Sequence, residues 1–231
     1  MTKYKTLDNF DLKNKTVLVR VDFNSEVDPA TKKVTSDVRI KAHAESTLKE
    51  LAEKGAKTVV LAHQGRKGDP DYTPLKEHAL ILGKILKCPV KYVPDLLGDK
   101  AKAAIKSLKG GDILVLENVR SWEGETKSNT PEQASKTELV QSLAPLADFF
   151  VNDAFAAAHR GHVSMVGFTA MLPSAAGRIM ERELKSLSKA LEKPKKPCVY
   201  VMGGAKADDS LEISKFVLGK GIADYVLVGG G

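Results

Sequence analysis

The chain has 231 residues, 42% of them hydrophobic and 28% charged, which is enough for one large α/β domain or for one domain plus part of another. With 36 Lys and Arg against 29 Asp and Glu, the formal net charge is +7, which is compatible with an anionic partner. The two scattered cysteines do not form a disulfide framework, and no apolar stretch approaches the roughly 18 residues of a membrane span. The first residues are polar where a signal peptide would need an apolar run, so we expect a cytoplasmic protein without membrane attachment.

Short β-branched runs alternate with amphipathic helical patterns along the first 173 residues. A helix is predicted from Asp37 to about Lys54, and Thr130, Pro131 and Gln133 form a capping box that opens another. This alternation predicts βαβ units, and therefore an α/β fold with a parallel sheet and helices on both faces, a Rossmann-like three-layer arrangement. The predicted strands are 16–21, 58–62, 90–93, 113–117 and 149–151.

The rest of the chain predicts a link and the start of a second, similar domain. A helix over 174–193 leads into a proline-containing segment, so residues 174–197 are interpreted as a hinge helix and linker. A strand at 198–202, a helix at 209–218 and a strand at 225–228 then form one βαβ unit. Because a unit of this size rarely folds alone, the domain at 198–231 is expected to be incomplete, whereas residues 1–173 are interpreted as the first domain.

Polar side chains follow the first predicted strand. Period-two alternation places Arg20, Asp22 and Asn24 on one face, and parallel sheets bind ligands beyond the carboxyl ends of their strands. An Arg20–Asp22 surface pair is the simpler interpretation of these residues. The other strands are followed by a similar set, except for the third strand, which could be an edge strand. That set is His63, Arg66, Arg120, Arg160 and His162.

Each of these residues, taken alone, is more often a loop residue with a local hydrogen bond than a ligand contact. Their repetition at one end of the sheet favours a shared site, which Arg39 could join from the start of a helix. Guanidinium groups repel one another and cannot lose their protons, so such a cluster predicts a small, multiply negative substrate.

The turn Gly203-Gly204-Ala205-Lys206 follows a strand and precedes a helix, which could bring backbone amides and a lysine to a phosphate. A plain tight turn explains the same residues equally well. The chain has neither GxxxxGK[ST] nor GxGxxG, so a P-loop site and a Rossmann dinucleotide site both lack support.

Eight ordered motifs make the chain resemble the phosphoglycerate kinase family over all 231 positions, and the GGAK neighbourhood is more similar to the archaeal branch. Gln64, Ala156 and Ser210 depart from residues that are frequent in the family. The motifs are VRVDFN at 19–24, DVRI at 37–40, AHQGR at 62–66, LENVR at 116–120, VNDAFAAAHRGHVSMVG at 151–167, GRIMERELKSL at 177–187, MGGAKADDS at 202–210 and VLVGGG at 226–231.

The resemblance implies a role for each matching position. Arg39 would stabilise the transferring phosphoryl group, Lys206 would approach it from the nucleotide side, and Gly203 and Gly204 would lie along the nucleotide phosphates. The residues implied to bind 3-phosphoglycerate are Asp22, Asn24, His63, Arg66, Arg120 and Arg160, with Arg20 and His162 nearby.

The resemblance also implies the reaction, a reversible phosphoryl transfer between 1,3-bisphosphoglycerate and ADP that gives 3-phosphoglycerate and ATP. Mg²⁺ would accompany the nucleotide, with its aspartate ligand beyond Gly231 and no metal ligand within this sequence. The two substrates would bind separate domains that close about a hinge and exclude water. The protein would be a monomer or a homodimer, and these 231 residues alone would bind the ester with little or no turnover.

Two other functions remain open at the level of sequence. The chain could act as a phosphoglycerate or polyanion binder without catalysis. A basic nucleic-acid-binding domain has less support, because aromatic residues make up only 6% of the chain and no basic stripe with stacking aromatics occurs.

Overall fold

The computed structural model describes residues 4–127, 129–192, 194–204 and 207–229. The chain divides into two compact units, Met1–Glu181 and Arg182–Gly231.

The first unit contains a six-stranded sheet in which every paired strand is parallel. The spatial order is β3-β4-β2-β1-β5-β6, which places β3 at one edge, as the sequence predicts. The strands are β1 (Thr16–Arg20), β2 (Lys57–Leu61), β3 (Val90–Tyr92), β4 (Ile113–Val115), β5 (Phe149–Asn152) and β6 (Ser174–Ala176).

Helices connect these strands and cover both faces of the sheet. The helix predicted over 37–54 is continuous, with a π-helical turn at Ala44–Leu48 between α1 and α2. The predicted capping box is present, with Pro131 in the first turn of its helix. The helices are α1 (Val38–His43), α2 (Lys49–Glu53), α3 (Lys76–Leu86), α4 (Asp99–Lys106), α5 (Pro131–Ser135), α6 (Glu138–Leu143), α7 (Val163–Val166) and α8 (Arg178–Glu192).

Alternate residues of β1 enter two different hydrophobic cores. Val17 and Val19 pack in a core that includes Ile40 of α1 and Leu82 of α3, whereas Leu18 packs in a second core with residues of α4 and α6. Both cores are made of fully buried apolar side chains, which explains why the strand sequences are continuously hydrophobic. The predicted fold class, a parallel sheet with helices on both faces, is confirmed.

The prediction of a helix over 174–193 is wrong at its start. Ser174–Ala176 form strand β6, which pairs with β5, and α8 begins only at Arg178. Alanine favours helices when local propensity decides, but pairing with β5 satisfies the backbone groups of this segment. Gly177 allows the tight transition that follows, because a Cβ atom at this position would overlap the Asp153 carboxylate.

The second unit contains β7 (Val199–Met202), α9 (Ala207–Gly219) and β8 (Tyr225–Val228). The two strands pair in parallel, as a βαβ unit requires. Among the described residues, no helix combines the length and the apolar character needed to cross a membrane.

Candidate anion-binding site

Arg20 ends β1 and is almost completely buried, with 1% of its surface exposed. The guanidinium group donates to the Ser164 hydroxyl at 2.8 Å, to the Val21 carbonyl and, through Nη2, to Nδ1 of His63 at 3.0 Å. The interpretation of Arg20 and Asp22 as a surface pair is therefore wrong. Arg20 lies inside the protein, where it supports other site residues.

A buried carboxylate faces this arginine through a serine. The Ser164 hydroxyl, which accepts from Arg20, donates to Oε1 of Glu125 at 2.6 Å, and the Ser164 N–H donates to Oε2 at 2.9 Å. Glu125 is fully buried, and burial raises its pKa while the charge of Arg20 opposes that rise. Glu125 is thus the internal counter-charge of the cluster, linked to Arg20 by Ser164.

His63 follows β2 and is held in a single tautomer. Arginine can only donate, so Nδ1 of His63 must accept from Arg20 and carry no proton. Burial lowers the pKa of His63 far below its ordinary value, and the charges of Arg20, Arg120 and Arg160 lower it further. His63 is therefore neutral near pH 7, with its proton on Nε2.

Four predicted site residues line one cavity of about 530 Å³: Arg66, Arg120, Arg160 and His162. Arg120 is mostly buried and donates to the Gly65 carbonyl. Burial lowers its pKa, and the nearby charges of Arg160 and Arg66 lower it further. This cavity concentrates positive charge, so it favours a small anion with several negative oxygens. Lys67, Trp122, Glu123 and Thr126 complete its lining.

Asn24 and Arg39 line a second cavity, of about 660 Å³, and Asp22 lies beside them. Arg39, the second residue of α1, is half exposed and donates to the Asp22 carboxylate. The other oxygen of that carboxylate accepts the Asn24 N–H at 3.0 Å. These three residues form a separate group.

The main chain of Gly65 connects the two groups. Its N–H donates to Oδ1 of Asn24 at 2.9 Å, while its carbonyl accepts from Arg120. Gly65 has a φ of +60°, and a Cβ atom at this position would overlap the backbone at Tyr72. Only glycine fits this turn without strain.

The predicted nucleotide-side residues lie in the second unit. Gly204 has a φ of +120°, in the region that glycine favours, and a Cβ atom at Gly203 would contact the Gly229 carbonyl at 2.5 Å. Both positions need glycine for the turn between β7 and α9. Lys206, the other predicted residue, lies outside the described residues, so its placement stays a prediction.

Sequence reasoning missed three polar residues that support the site. Ser164 and Glu125 give no periodic or strand-end signal, because one lies in α7 and the other in a loop. His43 could have been found, since it follows Arg39 by four residues and such residues share a helix face.

We expect the first unit to lose stability as the pH falls from about 6.5 to about 4. Burial lowers the pKa of His78 to about 4, and burial with nearby arginines lowers that of His162 to about 4. Histidine in the unfolded chain takes up protons near pH 6.5. The free energy of unfolding should therefore fall by up to about 1.4 kcal/mol per pH unit for each histidine. Urea unfolding followed by fluorescence of Trp122, the single tryptophan, measures this loss.

The His78→Leu variant is the matched control for this pH dependence. His78 donates to Gln64, whose Oε1 also accepts the Ser25 N–H at 2.8 Å, so the amide keeps a partner without the imidazole. The variant should lose stability less steeply between pH 6.5 and 4, because one linked proton is removed. A pH profile identical to that of the wild type would contradict the assignment.

Comparisons with known proteins match the chain along nearly its whole length. The sequence profile described as phosphoglycerate kinase matches residues 7–231. The phosphoglycerate kinase of Methanobacterium bryantii is 55% identical over 227 residues, which cover 98% of this chain and 55% of the relative. The phosphoglycerate kinase of Methanothermobacter thermautotrophicus is 53% identical over an alignment that covers 99% of this chain and 55% of the relative. The crystal structure of phosphoglycerate kinase from Pyrococcus horikoshii OT3 matches with a TM-score of 0.91 at 42% identity. The match covers 98% of this chain and 55% of that structure's chain.

The parallel sheet and the cluster of cations beyond its strands define an α/β protein with a candidate anion-binding site. The chain belongs to the phosphoglycerate kinase family. The resemblance to the archaeal branch is confirmed by these methanogen relatives. The chain spans about 55% of the length of the curated relatives it matches.

Proposed function

We propose that this chain provides the 3-phosphoglycerate-binding part, and the start of the nucleotide-binding part, of a cytoplasmic phosphoglycerate kinase. The observation that carries the proposal is the cavity where Arg66, Arg120, Arg160 and His162 meet. The reaction is the reversible transfer of a phosphoryl group between 1,3-bisphosphoglycerate and ADP, which gives 3-phosphoglycerate and ATP. Residues 1–181, which include strand β6, are proposed as the phosphoglycerate domain, 182–197 as its link, and 198–231 as the nucleotide side.

The cavity residues are proposed to bind the phosphate and carboxylate oxygens of 3-phosphoglycerate. Guanidinium forks suit these oxygens, and a bound anion relieves the repulsion between neighbouring arginines. Arg20 and His63 lie behind this surface and fix its shape, because their side chains are buried and hydrogen-bonded to each other. Asp22 and Asn24 orient the neighbouring loop through Arg39 and Gly65.

Phosphoryl transfer requires positioning and charge stabilisation more than proton transfer. Half of the Arg39 side chain is exposed, so its guanidinium group can reach a transferring phosphoryl group while Asp22 holds it in place. Lys206, Gly203 and Gly204 are proposed to act from the nucleotide side. Mg²⁺ bound with ATP or ADP would neutralise phosphate charge, but no group of three or more His, Cys, Asp or Glu side chains in the described segments could hold a metal ion.

Calorimetric titration with 3-phosphoglycerate tests this function. We expect Arg66→Ala to weaken binding at least tenfold, because a charge-assisted hydrogen bond contributes about 1.5–3 kcal/mol. The control is Lys106→Ala, which removes the same charge from the exposed end of α4. D-glycerate, which lacks the phosphate, should bind far more weakly. Equal affinities of Arg66→Ala and Lys106→Ala would contradict the proposal, as would tight, salt-sensitive binding of duplex DNA without a response to the ester.

A coupled kinase assay tests the catalytic part of the proposal. We expect the 231 residues to bind 3-phosphoglycerate and to turn it over slowly or not at all, since the relatives are nearly twice as long. Turnover at the rate of a full-length relative would contradict this expectation.

A further inference from the structure

Helix α1 contacts Asp22 at two places. Arg39 donates to the carboxylate, and Nε2 of His43, one helical turn later, accepts the Asp22 N–H at 3.1 Å. Residues four apart on a helix lie on one face, so both side chains reach the same residue. The imidazole is buried and packs edge-on against the Phe23 ring, with 6.1 Å between the ring centroids.

The other nitrogen of His43 is anchored to Asp153, which follows β5. Nδ1 of His43 lies 2.7 Å from Oδ2 of Asp153, which is fully buried. Because Nε2 accepts from a backbone N–H, the proton of a neutral ring must be on Nδ1, from which it donates to the carboxylate. Oδ1 of Asp153 accepts the N–H groups of Ile179 and Met180 in the first turn of α8.

We infer that His43 is a positioning residue for the site. The imidazole holds the main chain at Asp22, and the Asp22 carboxylate in turn holds Arg39 and the Asn24 N–H. Asp153 keeps the imidazole in the one tautomer that can accept from Asp22. His43 is not among the residues that line either cavity, so its effect on the site passes through its hydrogen bond to Asp22. The effect on the ester rests on the proposed function.

Two substitutions separate the two hydrogen bonds of His43. His43→Asn can retain an amide N–H near the position of Nδ1 for Asp153, but it places no acceptor at the Asp22 N–H. His43→Gln can place its oxygen near the position of Nε2 for Asp22, but it loses the donor to Asp153. Both variants remove the same buried imidazole from the core, so they differ in the hydrogen bond that the new amide can keep. The control is Thr58→Val, a near-isosteric change at a fully buried hydroxyl without a partner on β2.

In the ligand-free chain, long-range ¹H–¹⁵N spectra should show the Nδ1–H tautomer of His43. The Asp22 amide and the Arg39 Nε–H signals should shift in His43→Asn and stay close to the wild type in His43→Gln and Thr58→Val. An Nε2–H tautomer, or an unchanged Arg39 signal in His43→Asn, would overturn the inference. These spectra decide the positioning role even if the chain does not bind 3-phosphoglycerate, which would refute the proposed function instead.

Titration then measures the consequence for binding. We expect His43→Asn to bind 3-phosphoglycerate about three- to tenfold more weakly than His43→Gln, the range expected for one net hydrogen bond. Thr58→Val should bind like the wild type. Equal affinities of the two His43 variants would show that the imidazole only fills the core, and would overturn the inference.

Discussion

Asp153→Ala is expected to lower the free energy of unfolding of the first unit by about 3–5 kcal/mol. The fully buried carboxylate accepts the N–H groups of Ile179 and Met180 at 2.9 and 3.2 Å, and it pairs with His43 at 2.7 Å. Without it, two N–H groups at the start of α8 and a buried imidazole lose their partner. Urea unfolding followed by the fluorescence of Trp122 measures the loss within the same unit.

Asp69→Ala is a suitable control for this prediction, because Asp69 is exposed in the loop after Arg66. Its substitution should change the free energy of unfolding by no more than about 0.5 kcal/mol. Hydrogen exchange gives a second measure, since the Ile179 and Met180 amides should lose protection in Asp153→Ala and keep it in Asp69→Ala. An Asp153→Ala variant as stable as the control would refute the anchoring role.

Arg20→Met should also destabilise the first unit by about 3–5 kcal/mol. Methionine keeps the apolar stem, but the substitution leaves Glu125 buried without its cation and leaves Nδ1 of His63 without a donor. The single variant Glu125→Gln removes the carboxylate charge and leaves the buried Arg20 without the negative charge that stabilises its cation. The double variant removes both charges and should recover part of the loss.

A double-mutant cycle measures this coupling directly. We expect a coupling energy of about 1–3 kcal/mol between Arg20 and Glu125 at pH 7, although Ser164 lies between them. The same cycle with Lys91 and Glu125 is the control, because Lys91 lies on β3 and pairs with Asp112. If the losses of unfolding free energy in Arg20→Met and Glu125→Gln simply add in the double variant, the electrostatic link through Ser164 does not exist.

Local sequence patterns were sufficient for most of the fold. β-branched runs gave β1 and β2 within a residue at each end, and the Thr130–Gln133 capping box located the start of α5. The missing polar group after the third predicted strand indicated an edge strand, and β3 lies at the edge. These features depend on neighbours along the chain, which a sequence displays directly.

The rest depends on contacts between distant segments. β6 contains only serine and alanine, and it is extended because β5 lies beside it. Glu125 and Ser164 are 39 residues apart, and each gains its role only after α7 packs near the end of β1. No periodicity marks such residues, so the sequence predicted the cations that follow the strands better than Ser164 and Glu125, which lie beside Arg20 in the interior.

Both edges of the six-stranded sheet are short and partly covered. β3 has three residues with the charged Lys91 at its centre, paired to Asp112 at 2.7 Å. At the other edge, Thr6 bridges Ala176 of β6, whose N–H donates to the Lys5 carbonyl at 2.9 Å. A long free edge would be a template for a strand from another molecule. A charged side chain at one border and the N-terminal segment at the other therefore protect the folded chain against aggregation by strand addition.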